Sequence, residues 1–505
     1  MNLEILRQER MEKADKLRRM GIEPYPYKYQ PTHSAKSIID NFPGLENSAE
    51  VKVAGRLRLI RRMGKASFAD MHDASGKIQI YLRQDDIGEK LYDAFKLLDI
   101  GDIIGVKGIP FRTKTGEITI KAHKIQLLCK SLRPLSDKWK GLRDLETRYR
   151  QRYLDMIMNP SVRRDFRLRA DMLSYSRQFL TEQGFVEVET PVLQPLYGGA
   201  LARPFITHHN TLDMDLYLRI ADELYLKRLL VGGMEKVFEV CKDFRNEGMD
   251  KMHNPEFTMI ELYQAYADYN DIMTLVENWV TSMWAAIKGG SQMVYQGETL
   301  DLTLPWPRKG YIDLVEEYSG WKVLEMSDSQ LLQAAVETAP EKDLSRSNRG
   351  KLIDLIFSEK VEYNLRGPVF VVDFPMEISP LTKVHRSNEK LTERFELYLF
   401  GYEAANAYSE LNDPLEQRRR FEQQERWRQG GDEETQPMDE DFLRALEYGM
   451  PPAGGLGLGF DRLVMIFTGQ SSIRDVILFP QLKPEEFIMP EEDDEEGDVQ
   501  PVVRE

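Results

Sequence analysis

Through the first twenty positions, apolar residues recur at helical spacing between charges of both signs, and the run stops at Gly21 and the prolines of IEPYPYKYQP. That pattern predicts a helix over residues 2–20. From about residue 50 the period shortens to two in VKVAGRLRLI, ASFADMHD, GKIQIYLR, DIIGVKGIPFRT and GEITIKAHKIQLL, with Gly-containing turns between them. Five short alternating segments in about eighty residues predict a small β-barrel. After residue 166 amphipathic helices such as DMLSYSRQFLTEQG alternate with strand-like segments, as in an α/β or α+β domain of catalytic size. Within it, VFEVCKDFRNE and EFTMIELYQA read as two strands joined by the turn-rich GMDKMHNP. Alternation sends Glu239, Asp243, Arg245 and Glu247 to one face of the first strand and Phe238, Val240 and Phe244 to the other. The second strand groups Phe257, Met259, Glu261 and Tyr263 opposite Ile260 and Leu262.

A chain of 505 residues with 42% hydrophobic and 30% charged positions is too long for one core. The expected division is a helix and lead-in at 1–49, the barrel at 50–130, a basic linker at 131–165, the large domain at 166–484 and an acidic disordered tail at 485–505. No apolar run is long enough to span a bilayer, and the start of the chain does not read as a signal peptide. Cys129 and Cys241 have neither disulfide nor zinc spacing, so a cytoplasmic setting is expected. The net charge of −15 is unevenly spread. The tail holds ten acids and one Arg, whereas residues 131–170 hold eleven Lys/Arg against five acids. A solvated helical face is the plain reading of that basic run. A five-stranded barrel of the OB type binds single strands through aromatic and basic side chains, and Arg61, Lys65 and Phe68 fall on its early strands. Any small barrel offers similar residues, so nucleic-acid binding and an ordinary barrel surface both stay open.

The chemistry concentrates in three stretches. FRNEGMDKMHNPEFTMIELY, 244–263, crowds an Arg, a His, two Asn and acids onto one hairpin, with aromatic rings among the charges. RFELYLFGYEAANAYSELND, 394–413, sets Glu396, Glu403, Asn406, Tyr408 and Glu410 in otherwise apolar sequence, where unpaired carboxylates are costly. Glu396 and Glu403, read as having no cation nearby in sequence, suggest Mg²⁺, which commonly works through one or two carboxylates and substrate phosphates. PPAGGLGLGFDRLVMIFTG, 451–469, is a glycine-rich strand entering a helix with Arg462 in its first turn. It is neither a P-loop nor a dinucleotide fingerprint; a packing contact or a close ligand approach both fit it. His208 and His209 are adjacent and His253 stands alone, so no histidine metal site competes.

FRNEG…HNPEF and GLGLGFDRL, preceded by GFVEVETP at 184–191, resemble the three signature motifs of class II aminoacyl-tRNA synthetases. YGGALARPFITHHN, ADELYLKRL and NAYSELNDP are similar to the lysyl-tRNA synthetases among them. The resemblance implies an α+β fold: an N-terminal OB barrel that reads the anticodon, an antiparallel catalytic sheet flanked by helices, and a homodimer built partly on the first motif. It implies that Arg245 holds the α-phosphate of ATP, Glu247 and Asn254 the adenosine and His253 the γ-phosphate. Phe257 and Arg462 would sandwich adenine beside Gly459, and Glu396 and Glu403 would hold Mg²⁺. For lysine, it assigns the ε-ammonium to Glu223, Tyr263 and Glu410, with Tyr408 nearby, the α-amino group to Glu261 and the Gly199 backbone, and the carboxylate to Asn406. Arg61 and Phe68, with Gln79 and Glu117, would meet the anticodon of a lysine tRNA. The reaction implied is lysyl-adenylate formation with release of pyrophosphate, followed by transfer to the tRNA end, with Arg245 and Arg462 as catalytic residues.

Aspartyl and asparaginyl synthetases are similar over the same span, but an aspartate pocket needs a cation. Here Glu410 stands where the aspartate family shows an Arg, and Glu223 adds a second acid. Two departures stand out: Tyr402 beside Glu403, where a basic residue is usual, and the acidic tail. A paralogue that transfers lysine to a protein and a catalytically silent binding protein are the other classes considered. The barrel argues against the first and the complete set of catalytic positions against the second.

Overall fold

The computed structural model describes residues 3–135, 142–344, 347–429 and 435–484. The acidic tail therefore lies outside the described residues, as do positions 136–141 of the basic run. The chain forms two compact units, Met1–Asp144 with Ile157–Asn159, and Leu145–Met156 with Pro160–Glu505.

In the first unit, helix α1 (Leu3–Arg19) occupies the predicted N-terminal segment and ends before Gly21, whose φ of +72° favours glycine. The five alternating segments become β1 (Val51–Met63), β2 (Ala66–His72), β3 (Lys77–Arg83), β4 (Ile103–Arg112) and β5 (Ile118–Cys129). They close in the order β1-β2-β3-β5-β4, with only β3 and β5 parallel. This is the OB-type barrel expected. Val51, Val53, Leu57, Ala69, Met71, Ile80 and Leu82 fill its interior with Leu17 of α1. Lys130 is buried and pairs with Asp99 and Asp102 at 2.6 and 2.7 Å, so its charge is spent inside the unit.

The second unit is built on one large sheet. Helix α2 (Pro160–Glu182) leads into β6 (Val186–Glu187), followed by α3 (Glu223–Val231), β7 (Lys236–Phe244), β8 (Glu256–Ala265) and α4 (Tyr269–Ile287). Then come β9 (Arg308–Gly310), β10 (Val369–Pro375), β11 (Asn388–Leu399), β12 (Tyr402–Ser409), β13 (Ala453–Gly459) and α5 (Phe460–Thr468). The sheet order is β9-β10-β11-β12-β13-β8-β7-β6, with a two-residue strand, Val384–His385, also paired to β11. Its centre is antiparallel, and only the outermost pairs are parallel.

Alternation along these strands separates core from site. Ile260 and Leu262 of β8, Leu397 of β11, Ala405 and Ala407 of β12, and Leu456 and Leu458 of β13 face Trp279 and Val280 of α4 and Leu463 and Phe467 of α5. Burying each such large aliphatic side chain contributes about 1.5–3 kcal/mol, which anchors the sheet and leaves its other face for chemistry. The basic run is not simply a solvated face. Arg152 is buried and donates to the carbonyls of Arg474, Ile477 and Leu478 and to Asp155. Arg164 and Arg167 do remain exposed.

Candidate active site

The open face of the large sheet floors a cavity of about 440 Å³. Pattern alone accounts for its floor. Phe257, Met259, Glu261 and Tyr263 project from β8, Arg394 and Glu396 from β11, Asn406 and Tyr408 from β12, and Gly455, Gly457 and Gly459 from β13. Gly199, Glu223, Arg245, Glu247, His253, Asn254, Glu403 and Arg462 complete the group that sequence singled out. Among the lysine and ATP positions expected from sequence, only Glu410 does not line the cavity. It lies behind the wall, where a Cβ on Gly455 would come within 2.0 Å of Glu410 Oε1 and 2.4 Å of the Tyr263 ring. At Gly455, therefore, the glycine makes room for two of the protein's own side chains.

The hairpin differs from its sequence reading at one end. β7 stops at Phe244, so Arg245 and Glu247 belong to the loop that follows. Glu239 and Asp243 do not reach the cavity. Glu239 accepts from Thr190 and Arg219 and so ties the preceding segment to β7, while Asp243 is buried 3.5 Å from Arg219. In the loop, Arg245 N–H donates to Pro255 O at 2.9 Å and the Arg245 guanidinium lies 5.1 Å from the Phe257 ring centre. Asn254 is held by donating to Glu256 O at 2.6 Å. His253 Nδ1 contacts Asp250, and its Nε2 is 3.3 Å from Arg462 Nη2.

Arg462 is aimed from the first turn of α5. Its neighbour Asp461 accepts from Thr258 N–H at 2.8 Å and pairs with Arg169 at 2.5 Å, which locks the helix start onto β8. Arg462 Nη1 then reaches Glu403 Oε2 at 3.0 Å and Glu403 O at 2.9 Å. The expectation that Glu396 and Glu403 have no cation nearby is corrected here. Arg394, on the same face of β11, donates to Glu396 Oε1 at 2.6 Å, and Tyr398 donates to Oε2 at 2.7 Å. Two-residue strand spacing brings Arg394 beside Glu396, a signal that was present in RFE. Even so, burial pushes Glu396 up to about 8 against the pull of Arg394, and the charge of Glu403 adds to the rise. The two arginines leave mutual repulsion between these carboxylates, which is the environment a hard cation relieves. The donor set fits Mg²⁺. Tyr402 packs edge-on against Tyr295 with ring centres 6.0 Å apart, leaving Arg462 as the cation at Glu403.

At the other end, Arg394 Nε donates to Asn406 Oδ1 at 2.9 Å, which leaves the amide NH₂ of Asn406 as a donor for a carboxylate. Gly199 has φ +87°, and its N–H donates to Gln436 Oε1 at 3.1 Å. Gln436 also donates to Ala200 O, so it fixes the loop on both sides of the Gly199 carbonyl. Glu261 is buried at 6% exposure; burial, then Asp222 and Asp243, raises it well above the usual carboxylate range. Burial also lifts Asp222 to about 6 and Asp243 to about 7. Tyr408 donates to Glu223 Oε2 at 2.6 Å. Sequence reasoning did not assign Lys227, Arg394, Tyr398 or Gln436; Lys227 was legible four residues after Glu223 on a helix.

On the barrel, Arg61 pairs across the ladder with Phe68, and Phe68 with Tyr81. The rings of Phe68 and Tyr81 are 4.9 Å apart, and Phe111 follows Tyr81 at 6.2 Å, a three-ring row of which sequence named one member. Gln79 accepts from Thr119 at 3.0 Å, and Glu117 pairs with Lys77 at 3.1 Å.

An antiparallel sheet carrying an arginine loop, a glycine-rich strand and a helix-borne arginine around one cavity defines a class II aminoacyl-tRNA synthetase, and the family described as tRNA synthetases class II (D, K and N) matches residues 144–483. The OB-fold nucleic acid binding domain matches residues 51–128. A lysine–tRNA ligase of Carboxydothermus hydrogenoformans is 54% identical over 475 residues, covering 94% of this chain and 97% of the relative. The lysine–tRNA ligase of Pelotomaculum thermopropionicum is 53% identical over 96% of each chain. That of Trichormus variabilis is 51% identical over 96% of this chain and 89% of its own. The chain belongs to the lysine–tRNA ligases, ATP-dependent aminoacyl-tRNA synthetases.

Proposed function

We propose that the cavity joins L-lysine to ATP as lysyl-adenylate, with release of pyrophosphate, and that lysine then passes to the 3′ end of a lysine tRNA. The observation that carries the choice of substrate is the buried acid Glu223 with two phenols at one end of the cavity, backed by Glu410 behind its wall, an environment that selects an ammonium. Asn406 NH₂ takes the lysine carboxylate, and Glu261 with the Gly199 carbonyl takes the α-ammonium. ATP lies toward Arg245, Glu247, His253, Asn254 and Phe257, with Arg462 and Gly459 on the other side of adenine. The lysine carboxylate attacks the α-phosphorus, the bond to pyrophosphate breaks, and Arg245 and Arg462 neutralise charge on the transferring and leaving phosphates. No protein nucleophile is needed; positioning supplies much of the rate. Glu396 and Glu403 would hold Mg²⁺, which supplies charge neutralisation on the ATP phosphates.

Glu261 must be ionised to receive an ammonium, yet its folded-state pKa is raised. Protonated below that pKa, it binds poorly; ionised above it, it binds well. The lysine KM in ATP–pyrophosphate exchange is thus expected to fall as pH rises through a range above that of an ordinary carboxylate, and a flat profile would remove Glu261 from the α-amino role.

The barrel face with Arg61, Phe68, Gln79 and Glu117 would read the anticodon, supported by the row of rings beside a basic side chain. Stacking of one base on an aromatic ring is worth about 1–3 kcal/mol, so Phe68→Ala is expected to weaken tRNA charging by roughly five- to a hundredfold while exchange without tRNA is unchanged. Equal charging by the variant and the parent would take the anticodon from this face. A homodimer is supported by exposed Val186, Val192 and Leu193 around the short edge strand β6. A cytoplasmic location is supported by free Cys129 and Cys241; among the described residues no helix is long and apolar enough to cross a membrane.

A further inference from the structure

The two acids assigned to the ε-ammonium already share a cation. Lys227 lies one turn along α3 from Glu223, and its Nζ donates to Glu223 Oε1 at 2.5 Å while pairing with a carboxylate oxygen of Glu410. The side chains of Lys227 and Glu410 are wholly buried, and that of Glu223 is 4% exposed. Lys227 Nζ also sits 5.4 Å from the centre of the Tyr408 ring, whose hydroxyl holds the other oxygen of Glu223. Burial works against the Lys227 ammonium, but the attraction of Glu223 and Glu410 more than offsets it and keeps the pKa above its usual value. Burial holds the phenols of Tyr263 and Tyr408 neutral. Two carboxylates share one ammonium, so although burial holds Glu410 up to about 8, one incoming ammonium is what completes the balance with both acids ionised.

We propose that Lys227 is a specificity-determining positioning residue: a built-in ammonium that pairs with both Glu223 and Glu410 and offsets one of their two charges, so that the subsite matches one substrate ammonium. The inference rests on the reading of this end as the lysine subsite. Without Lys227, Glu410 loses the attraction that opposes its burial and stays protonated, and the pair no longer matches one substrate ammonium. With Glu410 made neutral instead, Glu223 and Lys227 cancel each other, and nothing is left to attract the substrate. Removing both Lys227 and the charge of Glu410 returns the balance to a single carboxylate.

The test is exchange kinetics with lysine and with norleucine, the analogue that lacks the ε-amino group, on the parent, Glu410→Gln, Lys227→Met and the double variant. Thermal melting confirms that each one folds. Glu410→Gln is expected to raise the lysine KM about tenfold or more. Adding Lys227→Met to it is expected to lower that KM again by at least about threefold, with the ATP KM held within about twofold throughout. Lys227→Met alone is expected to cut the preference for lysine over norleucine by about tenfold or more. If Glu410→Gln raises the lysine KM but the double variant is no better, the charge-setting role of Lys227 is overturned while the subsite stands. If Glu410→Gln leaves the lysine KM unmoved, the subsite reading itself fails. Should Lys227→Met prove unstable, the comparison of Glu410→Gln with the double variant still decides, because a merely structural lysine cannot improve binding when it is removed.

Discussion

Replacing Arg245 by alanine is expected to lower the turnover of lysine-dependent ATP–pyrophosphate exchange by about 10² to 10³, the loss that follows when one preorganised donor is withdrawn from developing charge. The guanidinium is held for this. Its backbone is tied to Pro255 O, its plane lies 5.1 Å from the Phe257 ring centre, and Nε is buried without a hydrogen-bond partner among the described residues. A buried donor without a protein partner is costly, and a phosphate oxygen can satisfy it. With the group acting on the phosphates, as proposed, the lysine KM should change far less than kcat. A fall in kcat of less than about tenfold would show that Arg245 only shapes the loop.

The second large effect belongs to Glu410→Gln, and it should appear in KM. Glu410 is buried at 1% exposure beside Lys227, and burial pushes it up to about 8 against the attraction of that lysine. Making it neutral leaves Lys227 with Glu223 alone and takes away the charge that an entering ammonium would neutralise. Loss of one member of a buried ionic cluster costs about 3–5 kcal/mol where no relaxation occurs, so a rise in lysine KM of at least about fivefold is a conservative expectation. ATP, proposed to lie at the opposite end of the cavity, should bind as before. A lysine KM raised less than that would place the ε-ammonium elsewhere.

Much of this was legible in the chain because period and burial are coupled. Two-residue alternation in EFTMIELYQA assigned Ile260 and Leu262 to the core and Glu261 and Tyr263 to the cavity, as the structure has them. The five barrel strands were legible for the same reason. What alternation cannot show is which long side chain folds back onto a neighbour. Arg394 turns toward Glu396 and Asn406, and Lys227 toward Glu223 and Glu410, so carboxylates that look unpartnered in sequence are paired in space. Gln436 is 237 residues from Gly199, a contact no local pattern encodes. Gly455 shows the complementary limit: a glycine-rich strand suggests ligand access, whereas here the missing Cβ admits Glu410 and Tyr263.

The chemistry of the cavity is tested most directly by ATP–pyrophosphate exchange with each of the twenty amino acids in turn, followed by charging of a lysine tRNA. Lysine alone should drive exchange efficiently, with aspartate and asparagine near background, because Glu223 and Glu410 suit an ammonium and the cation beside them, Lys227, is already paired with both. Exchange driven by aspartate or asparagine, or no exchange with lysine, would contradict it.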